Sequence, residues 1–489
     1  MTSIIGYGVY LPWRRLDRAA AAAANRWLNP ALAGGAKGTR TMASWDEDSI
    51  TLAVEAGRHV LNGTKPAVDS IFFASTTAPF ADRQNAGVVA AALELGEAIA
   101  ATDIGASQRA ATTALLSAAN AVAAKAASSA LVCAADRRHA PAASAQELQF
   151  GDAGAAILLG EGEGIAKLIA QGSLTVDFVD HYREADRAYD YQWEERWVRD
   201  EGLKKIAPKA ICALLEKASI EPGSIDHFIF PSSFRGADAE IAGLVGIDRE
   251  KVRPNLAEAI GDTGVPHALV MLADALDQAS PGERILVAAF GQGCDVLVFE
   301  VGTDIEAGRP RHAVRSQLAS GKLENNYMRY LVFNDLIDWD KSKRAERDKQ
   351  TALTTLYRNR DMLMALVGGE CRNCGTRQFP KVRVCVNPNC NGIDSQNPYS
   401  FANERASIIS WSGDHLVFTP DPPLHYGMIG FARGGRFLVE FADCEPEDIV
   451  SGADVRMVFR IKDYDSPRGF RRYFWKAVPD RAPTAAGGA

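Results

Sequence analysis

The chain has 489 residues, 47% of them hydrophobic and 24% charged, with a formal net charge of −7. That length fits two to four domains with cores large enough to need no disulfide staples, and the mild acidity leaves no electrostatic footprint for nucleic acid. No basic segment followed by a long apolar run opens the chain, no apolar stretch has the length of a membrane span, and four of the eight cysteines crowd into 371–390. We therefore expect a cytoplasmic protein with neither membrane nor nucleic-acid partners.

Residues 3–11 (SIIGYGVYL) read as a strand stopped by Pro12. The Ala-rich stretch 16–27 and the stretch 46–61 have helical spacing, the second opening on Asp46, Glu47 and Asp48. A buried strand at 70–75, a helix at 84–95 and a strand at 98–104 lead into the segment 101–125. There Gly105, Ala106 and Ser107 make a turn, and the Ala, Thr and Leu run behind it spaces as a helix able to lie deep between sheets. The start of such a helix gathers free N–H groups and partial positive charge, which suits an acyl oxygen or a thiolate. No cysteine stands there, and Ser107 is the one serine. Strands at 129–135 and 151–159 follow.

The same order then recurs. A helix at 202–218, a strand at 227–230, helices at 237–245 and 268–279, a strand at 284–290, the turn Gly291–Gln292–Gly293 and a strand at 296–301 form a second α/β unit. The repetition predicts an internal duplication, with halves at 1–165 and 166–303. Between them, 177–202 is dense in charge and aromatics and reads either as a solvated segment or as an insertion lining a pocket. It carries His181, Arg183, Tyr189, Tyr191 and Glu194.

Residues 302–312 are polar and read as a linker, and 318–367 as charged and helical. We divide this part into a linker and helical segment, 304–345, and a helical segment with a ribbon, 346–400. Cys371, Cys374, Cys385 and Cys390 are spaced C-x2-C-x10-C-x4-C. Paired thiolates on two knuckles predict a closed tetrahedral zinc site that is structural rather than catalytic. Strands at 406–418, 427–431, 436–441 and 455–461, with turn residues between them, predict a small β-barrel within 401–480. The last stretch, 481–489, reads as a disordered tail because 482–489 is low in complexity.

Six motifs carry a resemblance: GYGVYLP at 6–12, WDEDSITLAVEAGR at 45–58, ASTTAPFADRQNA at 74–86, QFGDAGAAILLG at 149–160, IGDTGVPHALVMLADAL at 260–276 and FGQGCDVLVFEV at 290–301. In their order they resemble the thiolase superfamily, on the branch of HMG-CoA synthase and β-ketoacyl-ACP synthase III. The four cysteines, DPPLHYG at 421–427, GGR at 434–436 and RGFRRYFWKAVP at 468–479 resemble the zinc-ribbon/OB-fold domain that partners thiolase-like proteins. The resemblance implies an α/β, duplicated, five-layered fold followed by a zinc ribbon and an OB-type barrel, and a homodimer.

By the same resemblance the family's nucleophilic cysteine falls on Gln108, its histidine on Pro231, its asparagine on Asp262, and the acid/base glutamate of HMG-CoA synthases on Thr76. The whole set is replaced, and an amide cannot carry an acyl group as a thioester. The chain also resembles thiolase-like aldolases that lack the cysteine. What remains suits enolate chemistry, which needs a proton-transfer group and donors for an enolate oxygen.

The candidate catalytic residues are His267, Asp262, His181 and Tyr191. Thr76, Ser107, Gln108, Glu194, Gly291, Gly293 and Cys294 are the candidate substrate contacts, with coenzyme A as substrate or product. His267 is expected in the pocket beside Asp262 and Gln108. The main expectation is cleavage or formation of a carbon–carbon bond in a β-oxo or β-hydroxy acyl substrate, by retro-Claisen or retro-aldol chemistry. Two other readings stay open: an HMG-CoA-synthase-type condensing acyltransferase with a relocated nucleophile, and a silent scaffold that docks a thiolase-like partner and passes CoA thioesters.

Overall fold

The computed structural model describes residues 1–61, 67–341 and 350–481. Nine strands lie side by side in the order His227–Ile229, Arg284–Phe290, Gly293–Val301, Ala166–Thr175, Thr2–Tyr10, Ala153–Glu161, Ser129–Asp136, Ser70–Ala74 and Ala100–Ile104. The join in the middle is narrow, because Ala166–Thr175 meets Thr2–Tyr10 through Ser3–Lys167 and Ile4–Ala166 alone.

On each side of that join the connections repeat. Ser70–Ala74 runs parallel to Ser129–Asp136, which pairs antiparallel with Ala153–Glu161, which pairs antiparallel with Thr2–Tyr10. His227–Ile229, Arg284–Phe290, Gly293–Val301 and Ala166–Thr175 follow the same sequence of directions. The first half adds the parallel edge strand Ala100–Ile104. In the second half a single parallel bridge, Phe228–Val252, stands at the equivalent place. The duplication is thus visible in topology.

The inner strands are apolar along their whole length because both faces are covered; every residue of Ser129–Asp136 is buried. Helices Ala110–Ala123 and His267–Leu276 lie between the two half-sheets and share one core with Val9, Val132, Ile157, Val287 and Leu297. The first presents Ala110, Ala111, Ala114, Ala118 and Ala119 inward, and the second is buried at every position. Ser49–Leu61 and Asn85–Ala92 cover the outside of the first half-sheet, and Lys204–Ala218 and Ala237–Leu244 that of the second. The result is five alternating layers.

The stretch 318–367 is not one helix. Lys322–Glu324 is a strand that pairs with Arg14–Asp17, itself paired with Thr39–Met42. Glu324 is buried there and bonds Arg14 at 2.9 Å and Arg329 at 2.7 Å, a long-range pairing that overrides local helical propensity. Helices Tyr327–Phe333, Leu353–Arg358 and Arg360–Ala365 follow, the last ended by Leu366 in the left-handed region, φ 50°. Residues 342–349 of the expected helix and 482–489 of the expected tail lie outside the described residues. No helix among the described residues is long and apolar enough to cross a membrane.

The ribbon is a three-stranded sheet of Arg377–Gln378, Val367–Cys371 and Gln396–Ser400. Beyond it, Arg436–Glu440, Leu424–Phe431, Ala406–Asp414, Asp454–Asp465 and Phe470–Pro479 form an antiparallel five-stranded sheet. Where an OB-type barrel was expected, the two outer strands of this sheet approach each other through the bridge Phe441–Ala477. Phe470–Pro479 is a strand that the sequence reading did not assign.

This sheet packs on helix Ser49–Leu61 through buried charge. Asp46, Glu47 and Asp48 lie ahead of the helix rather than in its first turn. Arg460, fully buried, bonds Glu47 at 3.0 Å and Asp443 at 2.8 Å. Lys476 bonds Asp46 at 2.9 Å, the Tyr473 hydroxyl donates to Asp48 at 2.8 Å, and the Phe459 N–H donates to Glu55 at 2.8 Å.

Candidate functional site

Two cavities meet below the strand ends. The larger, of about 1210 Å³, is walled by the first half (Thr76, Phe80, His139), by the insertion (Arg183) and by the C-terminal sheet (Tyr464, Arg471). The smaller, of about 390 Å³, lies between Arg138, Trp193, Phe234, Arg235, Asp262 and Phe290. Gln108, Asp180 and His181 line both, and no cysteine lines either.

Gln108 sits in the turn before helix Ala110–Ala123. Its neighbour Arg109 is tied at 2.5 Å to the buried Asp295, which also accepts from Thr112, Thr113 and Ser173. Ser107 donates to the Gly291 carbonyl at 2.9 Å. A Cβ on Gly291 would stand 2.8 Å from Ser107 Oγ, so only glycine lets the two turns touch. On the opposite side Asp136 accepts from the Ser75, Thr76 and Thr77 side chains and the Val265 N–H, which locks the loop 75–77 to the turn 262–265.

His181 comes from the insertion. It opens the two-residue strand His181–Tyr182, paired with Tyr191–Gln192. Its Nδ1 lies 3.0 Å from Asp180 Oδ2, and its Nε2 lies 3.3 Å from Gln108 Nε2. Burial works against charge on the ring, but the Asp180 hydrogen bond and the nearby Asp190 outweigh it and hold the imidazole above its ordinary pKa. His139, in the larger cavity, is the opposite case. Burial and the guanidinium groups of Arg137, Arg471 and Arg183 push it down to about 3, so it is neutral.

The other expected residues divide. Asp262 lines the smaller cavity, pairs with Arg138 at 2.9 Å and accepts from the Gly264 N–H at 2.9 Å. Burial raises its pKa, yet Arg138 and His267 bring it down to about 2, so it is an ionised and occupied carboxylate. His267 lines neither cavity. Its Nδ1 accepts from the Thr263 N–H at 3.0 Å and its Nε2 faces the Asn255 carbonyl at 2.8 Å. Burial lowers its pKa, and both nitrogens of a neutral ring are spent on backbone.

Thr76, Ser107 and Gly291 line the larger cavity. Tyr191 is exposed, with its ring 5.4 Å from Tyr182. Glu194 is exposed and caps the N–H groups of Arg196 and Trp197. Gly293 begins a strand at φ 124°, and Cys294 is buried in the second half's outer core, its thiol driven upward by burial. The sequence reading missed Asp180, Asp190 and the wall from the C-terminal sheet. The adjacent pair Asp180–His181, inside a segment already marked as a pocket insertion, was the available signal.

The four ribbon cysteines converge. Cys371 and Cys390 sulfurs are 3.7 Å apart, Cys374 and Cys385 sulfurs 3.6 Å, and all four lie within 4.8 Å of one another. Zn–S bonds of about 2.3 Å in a tetrahedron require S···S of about 3.8 Å, so the thiolates fit zinc with no position left for substrate. The metal would fold the ribbon and supply no chemistry.

Known proteins divide the chain in the same way. Residues 365–394 match the family model "ChsH2, rubredoxin-like zinc ribbon domain". The hydroxymethylglutaryl-CoA synthase of Aeropyrum pernix is 28% identical over 314 residues, covering 63% of this chain and 87% of that protein. That of Methanosarcina mazei is 28% identical over 338 residues, covering 67% and 96%. Among solved structures, 3-oxoacyl-(acyl carrier protein) synthase III of Pseudomonas aeruginosa superimposes with a TM-score of 0.55 at 22% identity, covering 62% of this chain and 98% of that one. Xanthomonas campestris OleA does so with a TM-score of 0.55 at 17% identity, covering 61% and 96%. The chain thus joins a thiolase-like five-layered fold, similar to these synthases, to a C-terminal zinc-ribbon domain.

Proposed function

We propose that the chain makes or breaks a carbon–carbon bond in a β-oxo or β-hydroxy acyl thioester of CoA, and does so without a cysteine acyl-enzyme. The observation that carries this is the chain Asp180–His181–Gln108 standing where the two cavities meet, with no thiol on either wall. The larger cavity has room for the CoA arm and the smaller for an acyl group. The relatives' name, hydroxymethylglutaryl-CoA synthase, supports a CoA thioester as substrate.

In this reading His181 is the acid/base. Asp180 holds the proton on Nδ1, and Nε2, which faces only the Gln108 side chain at the junction of the cavities, takes a proton from the substrate and later returns it to the enolate carbon. His267 is less suited, because its nitrogens are occupied and it lines neither cavity. Asp262 is committed to Arg138.

Incubation with a panel of β-oxo and β-hydroxy acyl-CoA thioesters tests the reading. Wild-type protein should release or form a shorter acyl-CoA, and His181→Ala should slow this by about 10² to 10⁴-fold. An acyl adduct in the intact mass spectrum would select the condensing acyltransferase with a relocated nucleophile instead. Turnover that appears only when a second thiolase-like protein is added would select the scaffold.

A further inference from the structure

When a bond to Cα of a thioester is broken, its carbonyl oxygen takes on enolate charge, and the site needs a donor aimed at that atom. The turn 261–265, on the wall of the smaller cavity, has no N–H left for this. The Gly261 N–H donates to the Ala257 carbonyl, that of Asp262 to the Gln149 carbonyl, that of Thr263 to His267 Nδ1, that of Gly264 to Asp262 Oδ1 and that of Val265 to Asp136 Oδ2.

Four guanidinium groups line the same cavity, those of Arg109, Arg138, Arg199 and Arg235. Arg109 is spent on Asp295, Ser173, Thr175 and the Gly291 carbonyl. Arg199 forks on to Asp200 at 2.9 and 3.0 Å, and Arg235 is exposed to water. Arg138 is buried and clamped. The Phe150 ring lies 3.8 Å from its guanidinium carbon, and its Nη2 bonds the Asp262 carbonyl at 2.8 Å and Asp262 Oδ2 at 2.9 Å. Its Nε, a donor, and Gln108 Oε1, an acceptor, are both shielded over the bare Cα of Gly264, at 2.9 and 3.1 Å from where a Cβ would begin. Nη1 remains, and among the described residues it donates to no atom. Burial works against the charge, but Asp262, Asp136 and Asp190 outweigh it and keep the group protonated.

We propose that Arg138 is a catalytic residue, whose Nη1 N–H holds the thioester oxygen while that oxygen carries enolate charge. This rests on the reading above that the site takes a CoA thioester through an enolate. Asp262 and Phe150 fix the guanidinium plane before substrate arrives, so the donor needs no reorganisation as charge develops. In a cavity shielded from water, a charge-assisted hydrogen bond to a growing negative charge is stronger than one to a neutral carbonyl. Arg138 gives up no proton. The electron pair of the bond broken at Cα becomes the enolate C=C bond, and the thioester C=O pair moves on to the oxygen. Both pairs go back when His181 returns its proton to Cα.

Fluorescence titration of the full-length, zinc-loaded protein reads this without turnover, since Trp45 and Trp193 border the cavities. The probes are CoA, S-carboxymethyl-CoA and S-carbamoylmethyl-CoA. The last two share a shape, and only the carboxymethyl group carries the negative charge of an enolate. Wild-type protein should bind the carboxymethyl derivative about tenfold more tightly than the carbamoylmethyl one, as a charge-assisted hydrogen bond predicts. Arg138→Met should bring the two within about twofold, with affinity for the carbamoylmethyl derivative retained as the sign of an intact cavity. Arg138→Lys, which keeps a cation for Asp262 but has no Nη1, should show the same loss. Equal binding of the two derivatives by wild type overturns the inference alone, and so does a tenfold preference that survives in either variant. A wild-type protein that binds none of the three probes overturns the CoA reading and this inference with it.

Discussion

Nδ1 of His181 lies 3.0 Å from Oδ2 of Asp180, and this carboxylate, helped by Asp190, outweighs burial to hold the imidazole above its ordinary pKa. A base must be unprotonated to act, so turnover should rise with pH through that elevated value. Removing the carboxylate in Asp180→Asn lowers the pKa, and the acid limb of the kcat/KM profile should move to lower pH. The plateau should also fall by about 10²-fold, because the proton on Nδ1 is no longer held. A pH-rate series on the two proteins checks both shifts.

His267 should behave as a structural residue. His267→Ala leaves the Thr263 N–H and the Asn255 carbonyl without their ring partners in a dry environment. The expected cost is about 1–3 kcal/mol of stability, seen as a lower urea midpoint, with kcat of the folded protein within a few fold. A loss of kcat comparable to that of His181→Ala would restore His267 to the chemistry.

Elemental analysis should find one zinc per chain, held by the four ribbon cysteines. Cys374→Ser should lose the metal and loosen residues 365–394, read as faster amide exchange confined to that segment.

The buried pairs between the C-terminal sheet and the acids before helix Ser49–Leu61 should be costly to break. Arg460→Ala leaves Glu47 and Asp443 facing each other without their cation. A loss of about 3–5 kcal/mol is expected in urea denaturation. A methionine at the same position, with Glu47→Leu and Asp443→Leu, should recover much of it.

A homodimer is expected. Ala100–Ile104 forms an edge of the nine-stranded sheet, and Ala100, Thr102 and Asp103 are open to solvent. Such an edge is satisfied by a second copy across a twofold axis. Light scattering should report twice the chain mass, and Ala101→Pro, which removes an N–H that faces away from Ser70–Ala74, should shift the protein toward monomer.

The layers were legible because their strands are long, apolar and bounded by turn residues, as in SALVCAAD at 129–136. The zinc knuckles were legible because ligand spacing is local. The break at Lys322–Glu324 was not, since it depends on Arg14, 310 residues away in the chain. The site was half legible. The GDTG turn lines the smaller cavity through Asp262 and Gly264, but a turn does not tell which way the ring three residues beyond it will point. His267 turns inward because Asn255 and Thr263 supply its hydrogen bonds. His181 reaches the junction through a two-residue ladder too short to show any period.

The charge-rich seam under the C-terminal sheet also bears on how the chain is made. Glu55 and its partner Phe459 are 404 residues apart. At a synthesis rate of about 5–20 residues per second, Asp46, Glu47 and Glu55 wait about 20–80 s for Arg460 and Lys476 to leave the ribosome. During that interval Glu55 has Arg58 of its own helix, while Asp46 and Glu47 lack their cations from the C-terminal sheet. The final packing of helix Ser49–Leu61 against the C-terminal sheet therefore waits for the last strands.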